Sequence, residues 1–567
     1  MTYDLVIKNG TIIDGSGMPR FNADIGISND TITNIGRIKE KAKETIDAEG
    51  HIVSPGFVDG HTHMDAQISW DPLGSCSCWH GVTSVVMGNC GFTLAPCGEA
   101  DKAYVMRNLE RAEDISAAAM TAGIKWSWET FSEYLDVVDK LPKGINYAGY
   151  IGHSALRTYT MGERAFDQQA SEDDLKLMAQ ELTSALKAGA IGFSSSRTPN
   201  HLTPDDRPVA SRIAGWSEVE YLVKTMGDLN AGIFEIANEQ PGRDPMRRRE
   251  YFDRLKDLAI ESGRPITFGM FSTRHIPEMW HDYVNLLDEV AAEGGRMFGQ
   301  AHSRALNVLL SFKTTTPFDN WDHWREIRAL PLDAQLTALR DPAIKKKLVD
   351  AANKPYEGPR IYGTEARPPN WDYVFPLFDM KGPYQSISEI AQARGKDRAE
   401  TMIDLAIEHE LDLFFAQPIA NEIHDDILQI MKHPRSVVTF SDSGAHVSQI
   451  MDSSLQTHLL SHWVREEQAL TLEEAIKMIT LEPSTLWGFH DRGLLRVGMK
   501  ADINVIDPDT VMPQMPEVVF DLPGGGRRLK QKADGIKATV VNGQTLFRDR
   551  EHTGALPGRL IRGPLAL

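Results

Sequence analysis

The stretch PGFVDGHTHMD, Pro55 to Asp65, is an apolar run of strand character that ends in two histidines separated by one residue. Side chains at i and i+2 of a strand point to one face, so His61 and His63 present two imidazoles to one point. That is a metal-ligand geometry: imidazole suits zinc and its neighbours, and the other ligands would come from distant positions that the fold brings together. A bare pair of this kind is also found as two surface histidines at a strand end, so the assignment depends on the company it keeps. Cys90 follows the apolar run VTSVVMG, and Asp442 ends the run SVVTFSD. A thiolate, two imidazoles and a carboxylate on one rim form the donor set of a zinc or dizinc site. A metal so held would bring the pKa of its water close to neutral, and Asp442 could take that proton and pass it to a leaving group. The structural alternatives are Cys90 as a small buried residue and Asp442 as a helix cap.

Elements that could position these residues recur along the chain. Besides residues 52–59, strand-like runs cover 82–88, 145–152, 190–196, 232–238, 265–271, 296–302 and 436–442. Helical periodicity lies between several of them. From Ser171, the residues Leu175, Met178, Leu182 and Leu186 repeat at helical spacing, with Ser171 and Asp174 as a capping box and Gly189 as the stop. Eight such strands with intervening helices predict a (β/α)8 barrel of the α/β class, whose catalytic groups sit where strands end. Residues 305–435, between the seventh and eighth strands, exceed one crossover and read as an insertion over the barrel mouth, with Trp321, Trp324 and Trp371 as candidates to line or cover a pocket.

The two ends of the chain have a different character. Asn9-Gly10 stands between two apolar runs as a hairpin signal, and Gly535 to Phe547 repeats the pattern around Asn542-Gly543. The ends are expected to pair into one small β-sandwich, which divides the chain into 1–54, a barrel over 55–480, and 481–567.

At 567 residues with 60 basic and 79 acidic side chains, the formal charge of -19 argues against a nucleic-acid surface. Arg247, Arg248 and Arg249 make only a short basic run, expected on a solvated helix face. No apolar run is long enough to span a bilayer and no signal peptide is evident, so the expected location is cytoplasmic. Cys76, Cys78, Cys90 and Cys97 crowd one short segment, poor placement for stapling a chain of this length.

Taken together, PGFVDGHTHMD, GVTSVVMGNCGFTLAPC, GHSALR, AGAIGFSSS, SDSGAH and GLLRVGMKADINVID resemble the amidohydrolase superfamily over nearly the whole chain, most closely its N-acyl-D-amino-acid deacylase (D-aminoacylase) branch. The resemblance implies a metal-dependent barrel with a β-sandwich from both termini that hydrolyses an amide bond. It makes His61, His63, Cys90 and Asp442 the metal-site residues, with Asp442 also the catalytic acid/base. The middle of the chain departs from the family. The histidines that follow the family's fifth and sixth strands have no counterpart in IFEIANEQ or ITFGMFSTR, and Ser194 to Ser196 stand where other amidohydrolases carry a carbamate-forming lysine. Glu235 and His302 are the substitute ligands or site residues to test, with Asn238, Glu239 and His275 as weaker candidates. One zinc ion is therefore expected, and two if a substitute restores the lost ligands. The family's lysine for a substrate carboxylate is also missing, which leaves Arg197, Arg274 and Arg304 as replacements.

The expected partner is a small-molecule amide, with no nucleic acid and no membrane; self-association is left open. Two alternatives accompany the deacylase reading: an amidohydrolase of uncharged, cyclic or xenobiotic amides or carbamates, and a non-catalytic assembly protein of the same fold.

Overall fold

In a computed structural model that describes residues 3–355 and 369–566, the apolar runs become one parallel sheet. Its strands are Phe57–Asp59, Val82–Met87, Asn146–Gly152, Gly192–Ser196, Ile233–Ala237, Ile266–Gly269, Met297–Ala301 and Ser436–Val438, each hydrogen-bonded to the next in chain order. The first and last continue into His61–Thr62 and Phe440–Ser443, which pair in parallel and close the barrel. Every residue of Val82–Met87 and Asn146–Gly152 is buried, as strands covered on both faces must be. Closure thus falls on the segments that carry His61, His63 and Asp442.

The helices obey their local signals. Glu172–Ala188 starts at the reciprocal Ser171–Asp174 capping box and stops at Gly189, whose φ of 113° suits a residue without Cβ. Met178, Leu182 and Leu186 are buried along it, and Leu175 is half-buried. The expected solvated arginine face holds for Arg247 and Arg249 only. Arg248 is buried and pairs with Asp282 at 2.9 Å, because the helix Pro245–Ser262 turns that side against its neighbour.

Both chain ends join one nine-stranded sheet, in which Ile52–Pro55 pairs antiparallel with Ile503–Ile506. The sheet curls until Ile32 donates its N–H to Met499 O and Ala501 to Asp30 O, enclosing Leu5, Ile7, Ile25, Val53, Ile503 and Val540. Asn542-Gly543 turns a hairpin between Ile536–Val541 and Gln544–Arg548, with φ of 44° and 79°. Asn9-Gly10 does not: Tyr3–Ile12 runs through it as one strand with a bulge. Asn9 takes φ 61° and is held by Asp24 and Asp47, while a Cβ on Gly10 would lie 2.4 Å from Val53. The same dipeptide serves a kink here because the neighbouring strand approaches too closely for a side chain.

The insertion carries its own antiparallel sheet of Leu306–Leu310, Phe414–Ala420 and Phe375–Leu377, and its own apolar core. Residues 356–368 of it lie outside the described residues. Trp321, Trp324 and Trp371 are not among the residues that line a cavity of about 530 Å³ under the insertion. They pack around Phe318, with Trp324 wholly buried and its indole N–H bonded to Leu348 O at 3.0 Å.

Candidate metal centre

The loop after Val82–Met87 turns through three left-handed residues, Gly88, Cys90 and Gly91, at φ 79°, 57° and 79°. A non-glycine residue keeps such a conformation only where its surroundings fix it. Glu235 Oε2 accepts the Cys90 N–H at 2.7 Å, Ser194 Oγ accepts that of Gly91 at 3.0 Å, and Asp65 Oδ2 accepts that of Gly88 at 2.9 Å. Ser194 Oγ in turn donates to Gly88 O. Cys90 Sγ is thereby set 3.5 Å from His61 Nε2. Ser194, at the family's lysine position, is thus a support for this loop.

Strand closure places the other members. Gly444 has φ 92°, and a Cβ there would meet His63 O at 2.5 Å, so only glycine lets the eighth strand come this near the first. Asp442, at φ 56°, then reaches both imidazoles: Oδ1 is 3.1 Å from His63 Nε2 and 3.5 Å from His61 Nε2. Gln300 Oε1 accepts from His61 Nδ1 at 2.6 Å, which leaves the Nε2 lone pair facing Cys90 and Asp442. Phe440 stacks on the same ring at 3.8 Å and fixes its plane.

Electrostatics make this a cation site. Burial pushes the Cys90 thiol well up, and the carboxylates of Glu235, Glu113 and Asp442 add to the effect. Burial also raises Glu235 to about 8, against the Cys90 N–H bond that favours its charged form. Burial alone would lower His63, yet the charge of Glu113 and the contact with Asp442 lift it to about 9. Asp442, despite burial, is held below the usual carboxylate range by His63 and His61. Carboxylates of Asp442, Glu113 and Glu235 thus crowd two imidazoles and a thiol in one largely buried space. The buried atoms Glu235 Oε1 and His63 Nδ1 have no hydrogen-bond partner. A divalent cation would offset the carboxylates and hold the thiol as thiolate, so the donor set fits one.

The donor atoms of His61, His63 and Cys90 lie within 4.8 Å of one another, and Asp442 touches both histidines. The matching family model, described as the amidohydrolase family, spans residues 44–547. The chain belongs to the amidohydrolase family. The D-aminoacylase of Alcaligenes xylosoxydans xylosoxydans is 25% identical over 564 residues, covering 99% of this chain and 97% of the relative. The N-acyl-D-glutamate deacylase of the same organism is 27% identical over 566 residues, covering 99% and 96%. Among solved structures, a D-aminoacylase crystal structure matches with a TM-score of 0.65 at 22% identity, covering 99% of this chain and 100% of that one. The N-acyl-D-glutamate deacylase of Bordetella bronchiseptica, complexed with zinc and a phosphonate inhibitor, matches with a TM-score of 0.63 at 22% identity, again covering 99% and 100%. Both structures establish the fold.

Against this amidohydrolase frame, the substitute residues separate. Glu235 is at the centre, holding Cys90 and leaving one oxygen 3.9 Å from His61 Nδ1. His302 is not. The seventh strand ends at Ala301, so the alternation that aims Gln300 inward stops before His302, whose neighbours are Arg304 and Asp452. Glu239 pairs with Arg197 and Arg254, Asn238 accepts from Tyr251 Oη, and His275 is exposed on a turn.

Each candidate arginine has an internal carboxylate: Arg197 with Glu239 at 3.0 Å, Arg274 with Glu422 at 3.0 Å and Arg304 with Asp452 at 2.7 Å. Of the three, Arg304 alone lines the cavity of about 530 Å³ under the insertion, whose wall includes none of His61, His63, Cys90 and Asp442. The insertion contributes Tyr373, Phe375, Leu377, Met380 and Tyr384 to its wall.

Sequence reasoning missed Gln300, Glu113, His201 and His446. Gln300 could have been found from the strand period, two residues before His302, and His446 stood within SDSGAH. Glu113 and His201 are loop residues that no periodicity marks. The motif GHSALR proves structural: His153 Nε2 and Arg157 both bond Glu218, at 2.9 and 2.6 Å, in a wholly buried triad.

Proposed function

We propose that this chain is a zinc-dependent hydrolase of amide C–N bonds, of the N-acyl-D-amino-acid deacylase type. The observation that carries this reading is the convergence of His61, His63, Cys90 and Asp442 at the barrel seam, with the His61 tautomer fixed by Gln300. Two end-to-end relatives named for the deacylation of N-acyl-D-amino acids support the substrate class, and a zinc-bound neighbour supports the metal.

Zinc bound by these four residues supplies Lewis acidity, polarising a carbonyl and acidifying water. The chain's own groups do the rest. Asp442 is ionised and, at 16% side-chain exposure, more open than the histidines beside it, so it can accept a proton from attacking water and return it to the departing nitrogen. An amide nitrogen leaves poorly unless protonated. Gln300 and Phe440 keep His61 oriented, and Glu235 with Ser194 keeps Cys90 in its left-handed turn.

A second reading, hydrolysis of an uncharged or cyclic amide or carbamate, is favoured by one observation: Arg197, Arg274 and Arg304 are all engaged by the chain's own carboxylates. A panel of N-acetyl-D- and N-acetyl-L-amino acids beside carboxylate-free amides separates the two. Turnover of the D-series supports the deacylase, and turnover confined to neutral amides supports the alternative. No turnover of any amide by zinc-loaded protein would sink both.

Among the described residues no helix is long and apolar enough to cross a membrane. All four cysteines are free and buried, which supports a reducing, cytoplasmic location.

A further inference from the structure

A second group of donors lies where the insertion returns to the barrel. His424 opens the helix His424–Lys432, which follows the insertion strand Phe414–Ala420 and leads into the eighth strand. Facing it are His462, in the segment Leu459–Glu466 that comes after that strand, and Glu467 just beyond. One ligand atom from each of His424, His462 and Glu467 lies within 4.8 Å of the others. Both histidines line the cavity under the insertion, whose wall holds no ligand of the barrel seam.

Local structure brings the three together. Leu459–Glu466 is a π-helix, and the Glu467 N–H donates to His462 O at 2.8 Å, five residues back. At the α pitch of 3.6 residues per turn, a residue five on would sit about 140° round the cylinder. The wider π turn brings Glu467 back toward the side that His462 occupies. The rings are held in plane by neighbours: Trp463 stacks on His424 at 4.3 Å and His458 on His462 at 4.9 Å. His462 donates from Nδ1 to Glu466 Oε2 at 3.3 Å, a carboxylate behind an imidazole as in the outer shell of metal sites. Its Nε2 is thereby left as an acceptor, 2.8 Å from His424 Nε2, which donates to it.

We propose that His424, His462 and Glu467 bind a divalent transition-metal ion that ties the end of the insertion to the helical segment after the eighth strand. The ion takes the place of the proton between the two Nε2 atoms, and His424 carries that proton on Nδ1 instead, so no net proton is released. Nitrogens about 2.0–2.1 Å from an ion stand about 2.8–3.0 Å apart at right angles and about 3.3–3.4 Å apart in a tetrahedron. The 2.8 Å separation therefore favours nickel(II) or copper(II), which take right-angle coordination by nitrogen and oxygen, over tetrahedral zinc. The inference is independent of amide hydrolysis and of the ion at Cys90.

The test removes the barrel-seam histidines and counts what remains. Metal-free His61→Ala/His63→Ala protein, shown to be folded by circular dichroism, is titrated with nickel(II) by calorimetry and analysed for retained metal after gel filtration. It should hold one equivalent, with no thiolate charge-transfer band in the near ultraviolet. Adding His424→Ala, at a side chain 48% exposed and so tolerant of truncation, should abolish that equivalent, as should His462→Ala. Glu467→Gln, which withdraws the anionic ligand, should weaken binding at least about tenfold. His424→Ala in the otherwise wild-type chain should likewise lose one equivalent, a comparison that needs no seam variant. Nickel uptake unchanged by either histidine substitution or by Glu467→Gln, or a retained ion that carries a thiolate band, would overturn the site.

Discussion

Asp442→Asn preserves size and contacts but cannot carry a proton, so the zinc-loaded variant should fold and bind substrate while kcat falls by at least about two orders of magnitude. Near-normal kcat would move the proton shuttle elsewhere, with Glu235 next to be tested. At the same scale, the residues legible in the sequence were those that end an apolar strand: His61, His63, Cys90 and Asp442 each follow or close such a run. Glu113 and His201 reach the centre from loops, where position depends on hydrogen bonds between distant segments such as Glu113 to His446. His302 misled because the strand stops one residue short of it.

Single elements carry a different kind of prediction. Glu218 is the shared partner of His153 and Arg157, which are both wholly buried. Glu218→Gln leaves the Arg157 charge without compensation and should cost about 3–5 kcal/mol in chemical denaturation. An unchanged midpoint would show that water or another group takes over. The helix at Glu172–Ala188 supplies a pH test. Burial acts to raise Asp174, but Arg164 and the Ser171 hydrogen bonds bring it from 3.8 down to about 2. A folded-state pKa below the unfolded one stabilises the protein above the unfolded value, and the contribution fades as pH falls through the folded value. Asp174→Asn should therefore cost about 1 kcal/mol near neutrality, and its Tm deficit should narrow as pH falls from about 4 toward 2. A deficit independent of pH over that window would assign the effect to capping geometry alone. Elements were the most legible level of all, since the eight barrel strands and this helix follow from hydrophobic period and capping. Asn9-Gly10 shows the limit: the dipeptide encodes positive φ, and whether that makes a hairpin or a bulge is decided by Val53 on a neighbouring strand.

On the scale of the whole molecule, the insertion combines a packed body with a cavity wall, and the two functions fall on different residues. Trp324→Ala should destabilise by about 3–5 kcal/mol and leave relative rates across an acyl-chain panel unchanged. Met380→Ala and Tyr384→Ala, on the wall, should alter those relative rates with smaller losses of stability. The reverse pattern would place the substrate away from this cavity. Sequence alone located the insertion between the seventh and eighth strands. It did not tell packing tryptophans from lining ones, because both roles select large apolar side chains. The claim to which every scale contributes is that the barrel seam holds a cation for amide hydrolysis. Its most direct test is to strip the purified protein with chelator, return zinc in steps, and follow hydrolysis of an N-acetyl-D-amino acid together with bound metal. Activity should vanish on stripping and return with the ion that His61 and His63 hold, while a folded His61→Ala/His63→Ala variant should recover none. Full activity in the stripped protein, or in that double variant, would contradict the account.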